Sequence, residues 1–95
     1  MFYKVQSVTP EENFILSVVF ADGVRKKYDL KPLFEKWPVF RDLRDIAGLY
    51  RQVKVDIGGL GISWNDTIDL AAEELRVNGI EVTDPKQTNG GNETI

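Results

Sequence analysis

The pair Asp22-Gly23, set between the runs Phe14–Phe20 and Val24–Tyr28, constrains this chain more than any other feature. The first run, Phe-Ile-Leu-Ser-Val-Val-Phe, is β-branched and aromatic, the composition of a central strand. An Asp-Gly pair between two such runs signals a hairpin, because a type I′ turn takes positive φ at both central residues and glycine does so without steric cost. The sequence therefore predicts antiparallel pairing of Phe14–Phe20 with Val24–Tyr28 and a positive φ at Gly23. On the returning strand Val24, Lys26 and Tyr28 share one face, and Arg25 and Lys27 share the other.

The rest of the chain is read outward from this hairpin. Phe2 to Val8 alternates, with Tyr3, Val5 and Ser7 on one face and Phe2, Lys4, Gln6 and Val8 on the other, so it predicts a preceding strand. Thr9-Pro10-Glu11-Glu12-Asn13 makes the turn between them, where Asn13 tolerates unusual backbone angles. Asp29 is placed to cap a short helical turn over Leu30–Phe34, with Pro32 tolerated in its first turn. Pro38 then opens an amphipathic helix of about ten residues. In it Val39, Phe40, Leu43, Ile46 and Ala47 recur at three- and four-residue spacing, and Gly48 ends it. Leu49–Ile57 alternates as a strand, Gly58-Gly59 turns the chain, and Ile62 and Trp64 share a face of the next strand, with Gly61 as a bulge. After a turn at Asn65-Asp66, Asp69 would cap a last helix over Leu70–Val77, and Ile80-Glu81-Val82 would add a short edge strand. The order β-β-β-α-β-β-α predicts an α+β fold, a small twisted antiparallel sheet with helices packed on one face. A single domain spans residues 1–82. From Thr83 to Ile95 the composition turns polar, a tail unable to offset its own ordering entropy.

Composition removes whole classes of chemistry. The chain has no histidine and no cysteine, so it lacks the commonest general base and metal ligand and has no thiol nucleophile or disulfide. A Ser-His-Asp arrangement is impossible; a Ser-Lys pair, Ser63 with Lys54, stays open. The carboxylates Asp22 and Asp66 read as turn residues and Asp29 and Asp69 as caps, while Asp56 has no local explanation. Gly58-Gly59-Leu60-Gly61 opens no helix and makes a poor phosphate cradle. The sequence thus predicts a protein that is not an enzyme and carries no cofactor or metal. Trp37, Phe40, Tyr50 and Trp64 are the candidate binding residues: each belongs either to the core or to a partly exposed aromatic patch for a partner or small ligand. Met1-Phe2-Tyr3-Lys4-Val5 lacks the layout of a signal peptide, and the longest near-continuous apolar run, Phe14–Ala21, is too short to span a bilayer. The expectation is a cytoplasmic protein with no membrane partner.

The ordered set Phe20-Ala21-Asp22-Gly23, Tyr28-Asp29-Leu30, an apolar helix ending near Leu43, Tyr50, Val53-x-Val55, Ile62-x-Trp64, Asp69-Leu70 and Leu75 resembles a bacterial family known only as domain of unknown function 2442. The resemblance covers about Val5 to Leu75. It implies a small α+β domain of bacteria and archaea whose members are often encoded beside another small protein, in an arrangement like a toxin-antitoxin pair. It supplies no catalytic residues. Some relatives carry a C-terminal helix-turn-helix, and the residues after Val82 do not match one. The function expected is a non-catalytic protein-binding module, antitoxin-like, with a cognate small protein encoded nearby as partner. The alternative is a small-ligand-binding domain with a pocket near Trp37, Tyr50 and Trp64. A weak homodimer built on an edge strand or the Trp37/Trp64 region is a further expectation.

Arg25-Lys26-Lys27 resembles a nucleic-acid motif, but it is short, lies on an alternating strand and sits in a chain of net charge −3, so a solvated strand face is the better reading. At physiological salt the chain should bind duplex DNA no better than the non-specific range of roughly 10⁻⁴ M. A gel shift at sub-micromolar protein that survives competitor DNA overturns this.

Overall fold

The predicted hairpin forms. In the computed structural model, which describes residues 2–82, β2 (Ile15–Phe20) pairs antiparallel with β3 (Arg25–Asp29), with Leu16 opposite Tyr28 and Val18 opposite Lys26. The turn differs from the expected type I′. The Gly23 N–H donates to the Phe20 carbonyl (2.9 Å) and the Phe20 N–H to that of Val24 (2.8 Å). Gly23 has φ 92°, and Asp22 is not among the positive-φ residues. This is a three-residue loop closed by a left-handed glycine, a geometry whose twist also matches the strands. Asp22 completes it by accepting the Val24 N–H at 3.2 Å.

β1 (Val5–Pro10) adds to the other side of β2, and β7 (Ile80–Glu81) to the free edge of β3, giving an antiparallel sheet of order β1-β2-β3-β7. Strict alternation would put Val5 and Val8 on opposite faces. A register shift between Val5 and Ser7 sets Val5 opposite Phe20 and Val8 opposite Val18, so both face the core. The bulge reverses the phase of the strand. Before β2, Asn13 (φ 62°) and Phe14 (φ 57°) both lie in the left-handed region. Asn13 is at home there; Phe14 is held by its neighbours, its ring edge-on to Phe34 (5.2 Å) and Tyr50 (5.0 Å).

α1 (Lys31–Lys36) follows β3, and Asp29 accepts the Lys31 N–H at 2.9 Å, the hydrogen bond expected of it, although the residue directly before the helix is Leu30. The ten-residue helix expected after Pro38 is broken: a 3₁₀ turn over Pro38–Arg41 runs into α2 (Asp42–Asp45), and Ile46 leaves extended and half exposed. Phe40, Leu43 and Leu49 are buried, and the bend at Gly48 (φ 84°) lets Leu49 point inward again. The strand expected over Leu49–Ile57 shrinks to β4 (Lys54–Val55), because Tyr50–Gln52 forms a 3₁₀ turn. That turn aims the Tyr50 hydroxyl at the carbonyls of Glu11 (2.7 Å) and Ile15 (3.0 Å).

β4 pairs with β5 (Gly61–Ser63) across the Gly58-Gly59 turn, as expected, and β5 pairs with a strand the sequence reading missed, β6 (Asp69–Ala71). Asp69 is therefore in a strand and caps nothing; α3 (Ala72–Asn78) begins after Ala71 with no side-chain cap. Gly61 is not a bulge: it sits in regular register opposite Ala71, and an added Cβ would lie 2.4 Å from the Leu70 carbonyl oxygen. The fold is α+β, as expected, but with two small antiparallel sheets, β1-β2-β3-β7 and β4-β5-β6, instead of one. One core joins them, with Leu16, Val18, Phe20, Leu30, Ile62, Ile68 and Leu75 fully enclosed. The domain described ends at Val82; the polar tail expected from Thr83 lies outside the described residues. Among those residues no helix is long and apolar enough to cross a membrane.

The two glycines make separable demands. Gly23 needs its φ and has open space around it, whereas Gly61 needs the space. Gly23→Ala should cost about 1 kcal/mol and Gly61→Ala about 3 kcal/mol in urea unfolding. The reverse order would mean that the β5–β6 approach is not tight.

Candidate functional site

The residue before a proline is driven out of the helical region, and Trp37, before Pro38, has φ −130° and ψ 105°. α1 therefore ends there, with the Trp37 N–H donating to the Leu33 carbonyl at 2.8 Å. The indole is thrown outward while the following 3₁₀ turn folds Phe40 in. Of the four aromatics expected to bind, Trp37 is 53% exposed, whereas Phe40 (6%), Tyr50 (9%) and Trp64 (4%) are core. Phe40 packs edge-on to Trp64 at 6.2 Å. The polar atoms of the other two are spoken for: Trp64 Nε1 donates to the Tyr50 carbonyl at 2.9 Å, and the Tyr50 hydroxyl is bound as described above. Trp37 and Phe40 meet at one groove; Tyr50 and Trp64 lie beneath, outside it.

That groove, about 340 Å³, runs between Trp37 and β6 and is lined by Leu33, Trp37, Val39, Phe40, Leu70 and the charged Lys36, Asp69 and Glu74. Leu33, Lys36 and Glu74 also belong to a neighbouring groove of about 440 Å³ that extends over Tyr28, Pro32, Asn78 and Ile80. Leu33 and Lys36 of α1 and Glu74 of α3 thus line both grooves. The Tyr28 hydroxyl donates to Glu74 Oε2 at 2.7 Å. Burial raises the Tyr28 pKa far above its usual value, and the adjoining Glu74 carboxylate raises it further.

Sequence reasoning missed Leu33, Leu70 and Glu74. Leu70 was legible, since Ile68-Asp69-Leu70 alternates like a strand; Glu74, an ordinary acidic residue in a helix's first turn, carries no signal of its own. The other suspected chemistry resolves into structure. Lys54 is opposite Ser63 in the β4–β5 register, but the Ser63 hydroxyl donates to Asp56 at 2.7 Å, which also accounts for Asp56. Gly59 (φ 72°) abuts the backbone of β1, where a Cβ would fall 2.7 Å from the Val5 carbonyl oxygen. Lys27 pairs with Glu11. Among the described residues no three carboxylates converge where they could hold a metal ion.

Fold and groove together define a small α+β domain that offers an aromatic-edged surface cleft. The chain belongs to the family described as Protein of unknown function (DUF2442), which it matches over residues 5–81. No match is found among curated proteins or among solved structures.

The tyrosines make alkaline pH a test of this arrangement. Burial raises the pKa of Tyr50 as well. A group whose pKa is higher folded than unfolded contributes stability that is present below the unfolded value and lost as pH rises through the folded one. Stability should therefore fall as pH climbs past 10, the unperturbed tyrosine value. Tyr28→Phe should remove part of that fall. Urea midpoints compared at about pH 8 and about pH 11 check this, and an unchanged slope in Tyr28→Phe would contradict the Tyr28–Glu74 contact.

Proposed function

We propose that this chain is a non-catalytic protein-binding module, the antitoxin-like component of a bacterial two-gene pair, acting in the cytoplasm on a cognate small protein encoded nearby. The observation that carries the reading is Trp37. A tryptophan left half in solvent at the rim of an apolar groove is what a binding anchor looks like, since tryptophan leads the residues that dominate interface energetics. Val39 and Leu70 beside it are half buried, so a partner side chain entering the groove would bury apolar surface against fixed walls. Asp69 and Glu74 on the walls, and a net charge of −3, favour a partner segment with an apolar anchor and basic flanks. The absence of histidine and cysteine from the sequence supports a binding role over a catalytic one. The antitoxin assignment itself rests on the family resemblance.

A small-ligand domain has less in its favour, because Tyr50 and Trp64, two of the three aromatics that would form its pocket, are buried with their polar atoms bonded. Without its partner the chain would pair weakly with a second copy, through the Trp37 surface or the outer edge of β7, and the partner would compete with that dimer.

Co-expression with the adjacent gene product should give a co-purifying complex. Trp37→Ala should weaken it at least about tenfold, yet change folding stability by no more than about 0.5 kcal/mol, as expected of an exposed site. No complex at all, or a Trp37→Ala complex as tight as the parent, would sink the proposal.

A further inference from the structure

On the other flank of α1 lies a groove of about 490 Å³, lined by Phe14, Lys31, Phe34, Glu35, Arg41 and Arg44. In a chain of net charge −3 it gathers three cations against one carboxylate, over two phenylalanine rings. We propose that this groove docks an acidic segment of a protein partner, with Arg41 gripping a side-chain carboxylate and the partly exposed Phe14 ring, backed by the buried Phe34, receiving a neighbouring apolar side chain.

The cations are not equivalent. Lys31 pairs with Asp29 at 2.9 Å, and Arg44 pairs with Asp45 at 2.8 Å while lying 5.6 Å from the centre of the Phe34 ring. Arg41 forms no ion pair among the described residues. Its Nε donates to the Phe34 carbonyl at 2.7 Å, one of the carbonyls that the end of α1 leaves without a helical partner. The tether leaves the two terminal nitrogens, which make no hydrogen bond among the described residues, directed by a side chain already held in place. A carboxylate matches that fork, and little rotamer freedom remains to be lost on binding. Lys31 and Arg44 flank the fork, each balanced by its own carboxylate, so Arg41 is the cation of the lining that has no ion pair among the described residues. Phe14, held in a left-handed conformation (φ 57°), sets its ring edge-on to Phe34 as the apolar floor. Duplex nucleic acid fits worse: its charges follow every ~1.7 Å, and Asp29, Glu35, Asp42 and Asp45 on the same elements would repel all but a few of them. A single carboxylate placed on the Arg41 fork, beside an apolar side chain, meets less of that repulsion than a run of phosphates.

This surface is independent of the Trp37 groove, so the two are tested apart. The probe is a short labelled peptide of alternating glutamate and phenylalanine, followed by fluorescence anisotropy on the full chain. Its counterparts are a lysine-phenylalanine peptide, a glutamate-serine peptide and a short DNA duplex. The glutamate-phenylalanine peptide should bind at low ionic strength, and at least about tenfold tighter than the lysine-phenylalanine peptide. Arg41→Gln should weaken it at least about fivefold, and Arg41→Lys nearly as much because the fork is lost. Trp37→Ala should leave it unchanged. Because Arg41 also supports the end of α1, the exposed Lys31→Gln and Arg44→Gln supply a second reading, each expected to weaken binding about two- to threefold. The proposal is overturned if the peptide fails to bind the unaltered chain, or if folded Arg41, Lys31 and Arg44 variants all bind it as well as the parent. Equal binding of the lysine-phenylalanine or glutamate-serine peptide, or tighter binding of the duplex, overturns it too.

Discussion

Tyr50 is the tether on which the two halves of this domain depend. Its hydroxyl reaches the carbonyls of Glu11 and Ile15, at the approach to the central strand of the first sheet. Its own carbonyl receives the Trp64 indole N–H, from the end of the second sheet, and its ring packs on Phe14. A buried tyrosine needs a partner for its O–H, and a buried tryptophan one for its N–H. Both needs are met here by backbone carbonyls, in a low-dielectric interior where an unmet polar group is costly; the Ile15 carbonyl also accepts the Glu11 N–H at 2.9 Å. Tyr50 itself lies in the 3₁₀ turn Tyr50–Gln52, which stands where alternation predicts a strand and leaves β4 with two residues.

A second clasp acts at the opposite end. Arg76 of α3 lies over the rings of Tyr3 (4.4 Å) and Phe20 (4.9 Å) and reaches Asp22 in the hairpin loop at 3.0 Å. The Arg76 guanidinium holds the Asp22 carboxyl below its usual pKa. Asp22 thus serves its own turn and docks the last helix. α1 is pinned at its start by Asp29 and at its end by Arg41. A helix of six residues has almost no stability of its own, so these contacts and the buried Leu33 and Phe34 hold it as the wall shared by the three surface grooves.

The candidate sites were legible only in part. Trp37 was visible as an aromatic before a proline, and its outward projection follows from the restriction that proline imposes. Tyr50 and Trp64 looked equivalent to it, because sequence spacing does not distinguish an aromatic that finds a carbonyl partner inside from one that stays in solvent. Arg41 looked like one polar residue of an amphipathic helix. Its role arises because that helix breaks and the 3₁₀ turn brings the guanidinium back to the end of α1.

By itself the sequence determined the elements whose causes are local. The Phe14–Phe20 run, the left-handed Gly23, the Asp29 contact and the helical turn opening at Pro38 all follow from side chains within a few residues of one another, and composition alone excludes histidine and cysteine chemistry. Tertiary structure alone decided the bulge that turns both Val5 and Val8 inward, the short β4, the strand at Asp69–Ala71 and the division into two sheets. Each of these is set by a partner distant in sequence: Phe20 and Val18 for the bulge, Glu11 and Ile15 for Tyr50, and Gly61 for β6. The Gly61–Leu70 approach makes the point most directly. The strand at Asp69 exists because a missing Cβ eight to ten residues earlier lets another backbone come close, and no helical propensity or capping preference at Asp69 competes with a ladder of hydrogen bonds and a buried Ile68.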